Sequence, residues 1–425
     1  MTEQGETDPK FFGEIRASTL LPVRDLLHEA DAQRVCQRGV YLRLLYRAQS
    51  AFCLRRHRSD YNGEDGHNGF MSDSILFTPL RLRDVEFSNR IGVSPMCQYS
   101  AVDGFANDWH FAHLGVRAVG GAGLVMVEAT AVARDGRITH GCTGLWSEEQ
   151  VEQLARIARF LKSHGSVPGI QLAHAGRKAS AQLPWNGDSA LSPPEGAWQT
   201  VAPSAIPFAA GWHTPHALTP SEIGDLAKDF ASATRRARQA GFEVVEIHAA
   251  HGYLLNEFLS PLANQRSDHY GGSFENRTRF LREVIEAVRS EWPARLPLFL
   301  RISASDWAEG GWTIEDSVEL AKMVKPLGID LIDCSSGGTV AYAKMQLGPG
   351  YQVPFSEAVR NRGGIATAAV GMITEPRQAE AIIKAGQADL VLLARESLRD
   401  PYWPIHAAKA LGVAPLVPNQ YLRAI

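Results

Sequence analysis

The feature that most constrains this chain is a series of eight short apolar runs that alternate with helix-like segments from residue 75 onward. Each run is largely apolar and has the length of a buried strand. In order they are Ile91–Pro95, Leu124–Ala129, Gly169–Ala173, Val244–His248, Leu298–Ile302, Leu331–Cys334, Ala366–Gly371 and Leu390–Ala394. Eight such strands alternating with helices predict an α/β fold of the (β/α)8, or TIM, barrel type.

Helix-start signals between the runs support this alternation. Ser147-Glu-Glu-Gln150 and Thr219-Pro-Ser-Glu222 are capping boxes, and the second carries proline at the first helical position. A doubly wound sheet is the alternative architecture. It usually shows a glycine-rich fingerprint after its first strand, whereas here that strand ends in Ser94-Pro-Met-Cys97.

The chain divides into an N-terminal extension, residues 1–70, and a barrel domain, residues 71–425. Between residues 34 and 58 the extension has seven arginines and no carboxylate, and a polar, glycine-bearing stretch follows. Two interpretations stay open: an over-called start, with translation beginning at Met71, or a poorly ordered tail. Within the barrel domain, residues of about 176–218 form a stretch too long for a plain loop, and we expect it to cap the barrel mouth.

Composition narrows the class of protein. A formal net charge of -3 gives no reason to expect nucleic acid or an anionic membrane as a partner. The five cysteines lie far apart without a CxxC pair, which argues against a disulfide framework, a structural zinc site and an iron–sulfur cluster. We therefore expect a cytoplasmic protein without a metal site.

In a TIM barrel the active site is built where the strands end. The residues expected there are Cys97, Tyr99, Ala129, Gln171, His248, His251, Tyr253, Arg301, Ser335, Gly371 and Arg395. The His/His/Tyr group can hold a carbonyl oxygen and supply a proton, although a pair of structural histidines is the plainer interpretation. Gly371 and Arg395 are suited to binding a phosphate, because the glycine allows close approach of the backbone and the arginine is a bidentate hydrogen-bond donor.

Arg301 lies in the middle of an apolar strand, so it needs either a protein acid or electron-rich ligand atoms as its partner. A phosphorylated planar cofactor beneath a carbonyl-bearing substrate fits this inventory. Metal-dependent hydrolysis fits less well, because the first strand supplies a thiol and a phenol rather than metal ligands.

Several longer motifs resemble the old yellow enzyme family of FMN-dependent ene-reductases, in particular its thermophilic-like bacterial subclass. The resemblance covers residues 75–425 and leaves the extension unexplained. It runs through Ser94-Pro-Met-Cys-Gln-Tyr99, Gly169-Ile-Gln-Leu-Ala-His-Ala-Gly-Arg-Lys178, His248-Ala-Ala-His-Gly-Tyr-Leu254, Tyr270-Gly-Gly-Ser-Phe-Glu-Asn-Arg277 and Ala394-Arg-Glu-Ser-Leu-Arg-Asp-Pro401.

The resemblance implies FMN as the bound cofactor and NADPH as the reductant, without settling NADPH against NADH. Residues implied at the flavin ring are Ser94, Pro95, Met96, Cys97, Ala129, Gln171 and Arg301. Ser335 is implied on the ribityl–phosphate side, and Gly371, Ala394 and Arg395 at the phosphate. The family usually has glycine where this chain has Ala394.

The same resemblance implies reduction of small alkenes activated by a carbonyl or nitro group. His248 and His251 would bind the substrate oxygen, hydride would come from flavin N5, and Tyr253 would donate the proton. Tyr99 and Lys178 would line the pocket, and Cys97 would modulate the flavin rather than act as a nucleophile.

Arg423 resembles an arginine that reaches the neighbouring subunit's active site, which implies a homodimer or homotetramer. The alternatives are another FMN-barrel dehydrogenase or oxidase and a non-catalytic flavin-binding protein.

Overall fold

The structure is a computed structural model that describes residues 74–187 and 189–424. Within this part, eight parallel strands close into one barrel in chain order, and the last strand pairs with the first. Their bounds are β1 Ile91–Val93, β2 Leu124–Ala131, β3 Val167–Ala173, β4 Val244–Ala249, β5 Leu298–Ser303, β6 Leu331–Ser335, β7 Ala366–Val370 and β8 Leu390–Leu393. The predicted (β/α)8 barrel is confirmed. The predicted extension, residues 1–70, lies outside the described residues.

Helices follow the strands and cover the barrel. Their bounds are α1 Asp108–Val119, α2 Val151–Ser163, α3 Pro220–Ala240, α4 Leu254–Leu259, α5 Phe274–Arg277, α6 Arg279–Glu291, α7 Ile314–Val324, α8 Val353–Gly363, α9 Pro376–Lys384, α10 Arg395–Arg399 and α11 Trp403–Ala410. The Thr219 capping box forms as predicted, with Pro220 at the first position of α3. The Ser147 box also forms, but it opens a 3-10 turn that leads into α2.

Packing explains why these helices stay on the barrel. In α2, Leu154, Ile157, Ala158 and Leu161 recur at helical spacing and are buried on one face. Burying a leucine or isoleucine side chain stabilises the fold by roughly 1.5–3 kcal/mol. The amino end of the barrel is closed by a hairpin of Leu80–Leu82 and Val85–Phe87, whose Phe87 ring stacks on Phe299 of β5.

Two strands end two residues away from their predicted bounds, whereas the other carboxyl ends agree to within one residue, and both differences affect the site. β1 ends at Val93 rather than at residue 95, consistent with the missing backbone N–H of Pro95. β2 continues to Ala131 and changes register between Val127 and Ala129. Such a bulge redirects side chains, and bulges are frequent next to active sites.

The stretch predicted as a cap contains three 3-10 turns and a two-stranded parallel pair, Val201–Ala202 with His216–Ala217. The buried Arg177 guanidinium donates to the carbonyl oxygens of Ile206 and Thr339, at 3.2 and 2.6 Å. These contacts tie the stretch to the loop that follows β6.

The described residues lack two kinds of feature. None of their helices is long and apolar enough to cross a membrane. Nor do three or more His, Cys, Asp or Glu side chains among them converge in a way that would hold a metal ion.

Candidate active site

The carboxyl ends of the strands bring most of the predicted site residues to one end of the barrel. By register, Ala129 of β2 lies opposite Gln171 of β3, and His248 of β4 lies opposite Arg301 of β5. The other predicted residues end a strand or follow it closely: Ser94, Pro95, Met96, Cys97 and Tyr99 after β1, Ser335 in β6, Gly371 after β7, and Ala394 and Arg395 after β8.

His248 is a neutral hydrogen-bond donor fixed by its own loop. Its side chain is buried, and its Nδ1 accepts the backbone N–H of Ala250 at 3.2 Å. The ring proton therefore lies on Nε2. Burial, followed by the charges of Arg301 and Lys178, holds the pKa of His248 well below its usual range.

His251 is held in an uncommon backbone conformation, with φ at +61°, which is sparsely populated by residues other than glycine. Its backbone N–H donates to Ser303 Oγ at 2.8 Å, and its Nε2 lies 2.7 Å from Ser335 Oγ. Burial, reinforced by Arg301, lowers the pKa of His251 well below its usual range as well. Both imidazoles are thus neutral.

Tyr253 completes a compact group with the two histidines. Its ring centroid lies 5.1 Å from that of His248 and 6.4 Å from that of His251, edge-on in both cases. The Lys178 ammonium lies 5.1 Å from the centre of the tyrosine ring. That ammonium also donates to the carbonyl oxygens of His251 and Gly338, at 2.8 and 3.2 Å. The predicted His/His/Tyr cluster is therefore one physical unit, with a cation beside it.

Cys97 and Tyr99 follow β1 in a loop fixed by Glu128. The buried Glu128 carboxylate lies at the bulge in β2 and accepts the backbone N–H of Gln98 at 2.6 Å. Burial raises the pKa of Cys97 well above its usual range, so its thiol is neutral. Tyr99 has φ at +50°, and its ring packs edge-on against Trp185 at 6.0 Å.

Beneath these groups, the barrel interior holds a cation between two acids. Arg301 Nε lies 3.0 Å from Asp333 Oδ2, and both side chains are buried. Asp333 is thus the protein acid that the position of Arg301 required. The side chain of Glu246 is also buried, and its Oε1 accepts a hydrogen bond from Gln171 Nε2 at 2.8 Å.

On the opposite side of the mouth, Gly371 and Ala394 lie at neighbouring strand ends, because β7 and β8 pair in parallel. Gly371 has φ at +118°, and a Cβ there would lie 2.8 Å from the Gln352 side chain and 2.9 Å from that of Tyr351. Packing therefore requires glycine at this position whether or not a phosphate lies nearby. Arg395 is exposed at the start of α10.

Arg423 is the predicted residue that the structure does not bring to this end. It is exposed in a terminal 3-10 turn, Asn419–Ala424. The residues just before it line a cavity with Gly121 and Gly165, which precede β2 and β3 at the amino end of the barrel. Within its own chain, Arg423 therefore follows a segment at the end of the barrel away from His248.

With this geometry established, comparison with known proteins identifies the family. Residues 75–413 match the NADH:flavin oxidoreductase / NADH oxidase family. A protein named NADPH dehydrogenase from Geobacillus sp. (strain WCH70) is 50% identical over 353 residues, which cover 83% of this chain and 98% of that protein.

The chain belongs to this family.

Solved structures agree with this assignment. The old yellow enzyme homologue from Zymomonas mobilis superimposes with a TM-score of 0.67 at 27% identity, covering 81% of this chain and 96% of that one. A 2-naphthoyl-CoA reductase has a TM-score of 0.72 at 26% identity, covering 79% of this chain but only 52% of that longer one. The predicted membership of the old yellow enzyme family, the enzymatic class and FMN as cofactor are thereby confirmed.

The residues present fit the cofactor that the family uses. Ser94 Oγ, just after β1, is a buried polar atom without a hydrogen-bond partner among the described residues. Buried polar atoms are normally satisfied, so an unsatisfied hydroxyl at a strand-end mouth is suited to the polar edge of a ligand. The exposed Arg395 beside Gly371 supplies the cation that a phosphate requires.

Sequence reasoning missed Glu246, Asp333, Ser303 and Gln352. The two acids could have been noticed, because each interrupts an otherwise apolar strand, Val244-Val-Glu-Ile247 and Leu331-Ile-Asp-Cys334. Gln352 lies just before α8, and its Oε1 accepts Ser336 Oγ at 2.7 Å. No local pattern marks such a loop residue.

Proposed function

We propose that this family member reduces the C=C bond of small alkenes activated by a carbonyl or nitro group, with NADPH as the reductant. The choice of NADPH is supported by the name of the Geobacillus relative, NADPH dehydrogenase. The choice of an activated alkene as substrate rests on the group formed by His248, His251 and Tyr253, whose ring centroids lie 5.1–6.4 Å apart at one strand end. FMN, when bound, supplies hydride chemistry at its N5 atom.

His248 is the principal donor to the substrate oxygen. Its Nδ1 is occupied by the Ala250 N–H, which leaves the Nε2 proton available for an external acceptor. A donor preorganised at a developing oxyanion is worth roughly 3–4 kcal/mol. Because the imidazole is already neutral and oriented, no proton has to be redistributed when the substrate binds.

His251 can be the second donor through its other ring nitrogen. Gln352 Oε1 already accepts Ser336 Oγ at 2.7 Å, and its separation from Ser335 Oγ is longer, at 3.4 Å. The Ser335 hydroxyl has two acceptors within reach, and we assign its proton to His251 Nε2, which is nearer, at 2.7 Å; this places the imidazole proton on Nδ1. Ser335 then orients His251, in addition to its expected position near the ribityl chain.

Tyr253 is the proton donor to the substrate α-carbon. Its phenol can act as a general acid, and the Lys178 ammonium lies 5.1 Å from the centre of its ring. The proton leaves the phenol oxygen as negative charge collects on the substrate. Tyr99 and Lys178 also line the substrate side, and Cys97 contributes a neutral thiol beside the ring.

The cofactor would lie across the strand ends. The residues that would contact its ring are Ser94, Pro95, Met96, Cys97, Ala129, Gln171 and Arg301, and those that would hold its phosphate are Gly371, Ala394 and Arg395. The buried cation at Arg301 would stabilise negative charge on the reduced ring. The exposed position of Arg423 supports a homodimer or homotetramer in which it reaches the neighbouring site.

The test separates the two half-reactions. The full chain, loaded with FMN, is reduced by NADPH without oxygen and then mixed with 2-cyclohexenone. We expect bleaching, followed by recovery of the yellow colour. Tyr253→Phe should slow the recovery by about 10²-fold or more and leave the bleaching largely intact.

Tyr270→Phe is the matched control, since that phenol donates to Glu283, at 3.0 Å, rather than to the site. A protein that bleaches but ignores the enone would overturn the alkene assignment and leave the flavin enzyme standing.

A further inference from the structure

Two carboxyl groups share the barrel interior with one guanidinium, that of Arg301, which is itself a predicted flavin contact. Glu246 of β4, Arg301 of β5 and Asp333 of β6 are 1%, 6% and 0% exposed. Arg301 lies opposite Asp333 in the strand register, and Glu246 lies opposite Gln171. The proposed mechanism assigns a role to Gln171 and Arg301 but none to Glu246.

The two acids have different partners. Asp333 forms the ion pair with Arg301, with Oδ2 3.0 Å from Nε. Glu246 accepts a hydrogen bond from the uncharged amide of Gln171, at 2.8 Å. One guanidinium compensates one carboxylate, and a second buried carboxylate without a counter-ion is costly.

Charge balance therefore leaves Glu246 as the protonated member of the pair. Burial, followed by the negative charge of Asp333, raises the pKa of Glu246 strongly, while Arg301 opposes the rise. The hydrogen-bond partner of Glu246, Gln171 on β3, is uncharged, and His248, two residues further along the same strand, is neutral.

We propose that Glu246 is a positioning residue for the bound flavin, which fixes the amide of Gln171 and holds one exchangeable proton beneath the ring. This inference rests on the proposed placement of FMN against Gln171 and Arg301. It adds a residue that touches neither the substrate nor the reacting atoms. Its Oε1 engages one amide N–H of Gln171, and the rest of that amide is left for the polar edge of the ring.

If Glu246 lies next to the flavin, its protonation is coupled to reduction of the flavin. Two electrons and one proton convert the oxidised cofactor to its reduced, anionic form. The added negative charge strengthens proton binding at the nearby acid. Below the pKa that Glu246 has with reduced cofactor and above its lower pKa with oxidised cofactor, reduction therefore takes up a second proton from solvent, which converts its carboxylate to the acid. Below the lower pKa the proton is already present.

The experiment measures the flavin midpoint potential of the full, FMN-loaded chain by dye equilibration from about pH 6 to about pH 10. Wild-type protein should show a segment in which two protons accompany two electrons, flanked by segments with one. Glu246→Gln retains an acceptor for Gln171 but cannot titrate. It should show one proton per two electrons throughout.

Glu257→Gln is the matched control. Glu257 is equally buried and burial raises its pKa to about 8, but its Oε1 accepts the backbone N–H of Arg177 rather than Gln171. This variant should retain the wild-type curve. A steep segment that survives in Glu246→Gln, or that disappears equally in Glu257→Gln, would overturn the proposal.

A second measurement needs no variant to fold. Wild-type protein labelled with ¹³C-glutamate should give a redox-difference infrared spectrum in which a protonated carboxyl band appears on reduction within the steep segment. The isotope shift should be present with labelled glutamate and absent with labelled aspartate. A shift confined to aspartate would assign the proton to Asp333 and overturn the proposal. A chain that binds no FMN would instead overturn the proposed placement of the cofactor. That outcome is visible from the absorbance spectrum before any titration, so it is distinguishable from failure of the Glu246 proposal.

Discussion

The two sides of the barrel mouth are built in opposite ways. On the β4 side, His248, His251 and Lys178 are held by hydrogen bonds from the protein itself, at 2.7–3.2 Å. On the side of β7 and β8, Gly371 has a positive φ just after β7, and Arg395 is an exposed cation at the start of a five-residue helix. The two imidazole donors of the first side are neutral and held in place, whereas the second side is open and presents an exposed cation.

The difference reflects what each side has to bind. An uncharged substrate oxygen gains most from donors that are oriented before it arrives, because reorientation during the reaction would raise the barrier. A phosphate binds through its charge and needs little orientation from the protein beyond close backbone approach. Substitutions should therefore affect rate and stability on the β4 side, and cofactor affinity on the other.

The largest effect is expected at Arg301, beneath the rigid side. Arg301→Met leaves Asp333 buried without a counter-ion, so the free energy of unfolding should fall by about 3–5 kcal/mol. Urea denaturation measures it. Arg395→Gln, on the open side, should change stability by about 0.5 kcal/mol or less. Equal losses in the two variants would remove the contrast in rigidity.

At His248 the expected effect is on rate. His248→Ala should slow reoxidation by 2-cyclohexenone by about 10²–10³-fold, because one preorganised donor is lost. Flavin reduction by NADPH should change far less. Stopped-flow absorbance of each half-reaction measures both rates, with His406→Ala as control because that imidazole is 61% exposed and paired with Asp400. Equal slowing of both steps would contradict the assigned role.

Arg395→Gln tests the open side by affinity. The loss of a charge-assisted hydrogen bond to phosphate costs about 1.5–3 kcal/mol, so FMN should dissociate about 10–150-fold more readily. Titration of apoprotein followed by flavin fluorescence gives the constant. Arg399→Gln is the matched control on the same helix, since Arg399 pairs with Glu396. An unchanged FMN affinity in Arg395→Gln would show that the phosphate does not bind at this position.

The two sides should also respond differently to pH. The pKa of His248 is lowered in the folded protein, so its Nε2 donor should persist as the pH falls through 6.5. The enone step should accordingly stay flat down to about pH 5.5. A phosphate has its second pKa near 6, so FMN affinity should weaken a few-fold over the same fall. For His248 the unfolded chain binds the proton more tightly, and stability therefore decreases below about pH 6.5.

The smallest effect is expected for Ala394→Gly. Ala394 has φ at -101°, outside the left-handed region, so its backbone does not require the glycine usual in the family. We expect FMN affinity to change by less than about threefold, or ~0.7 kcal/mol. A gain of tenfold or more would show that the methyl group obstructs the phosphate.

Much of the fold was predictable because it depends on local patterns. The eight apolar runs and the capping box at Thr219 are properties of neighbouring residues, and both appear in the structure. Strand ends were less accurate, because the bulge in β2 depends on how it pairs with β3. The site residues at strand ends could be named once the barrel was assumed, since parallel strands end at one edge.

Periodicity and strand ends are encoded along the chain, and they are enough to predict the barrel, the order of its strands and most of the side chains at its mouth. The protonation and orientation of those groups depend instead on the tertiary structure. The proton on His248 lies on Nε2 because Ala250 occupies Nδ1. Glu246 holds its proton because Arg301 is already paired with Asp333. Both depend on distances between residues that pairing and loop closure bring together, and no spacing along the sequence contains them.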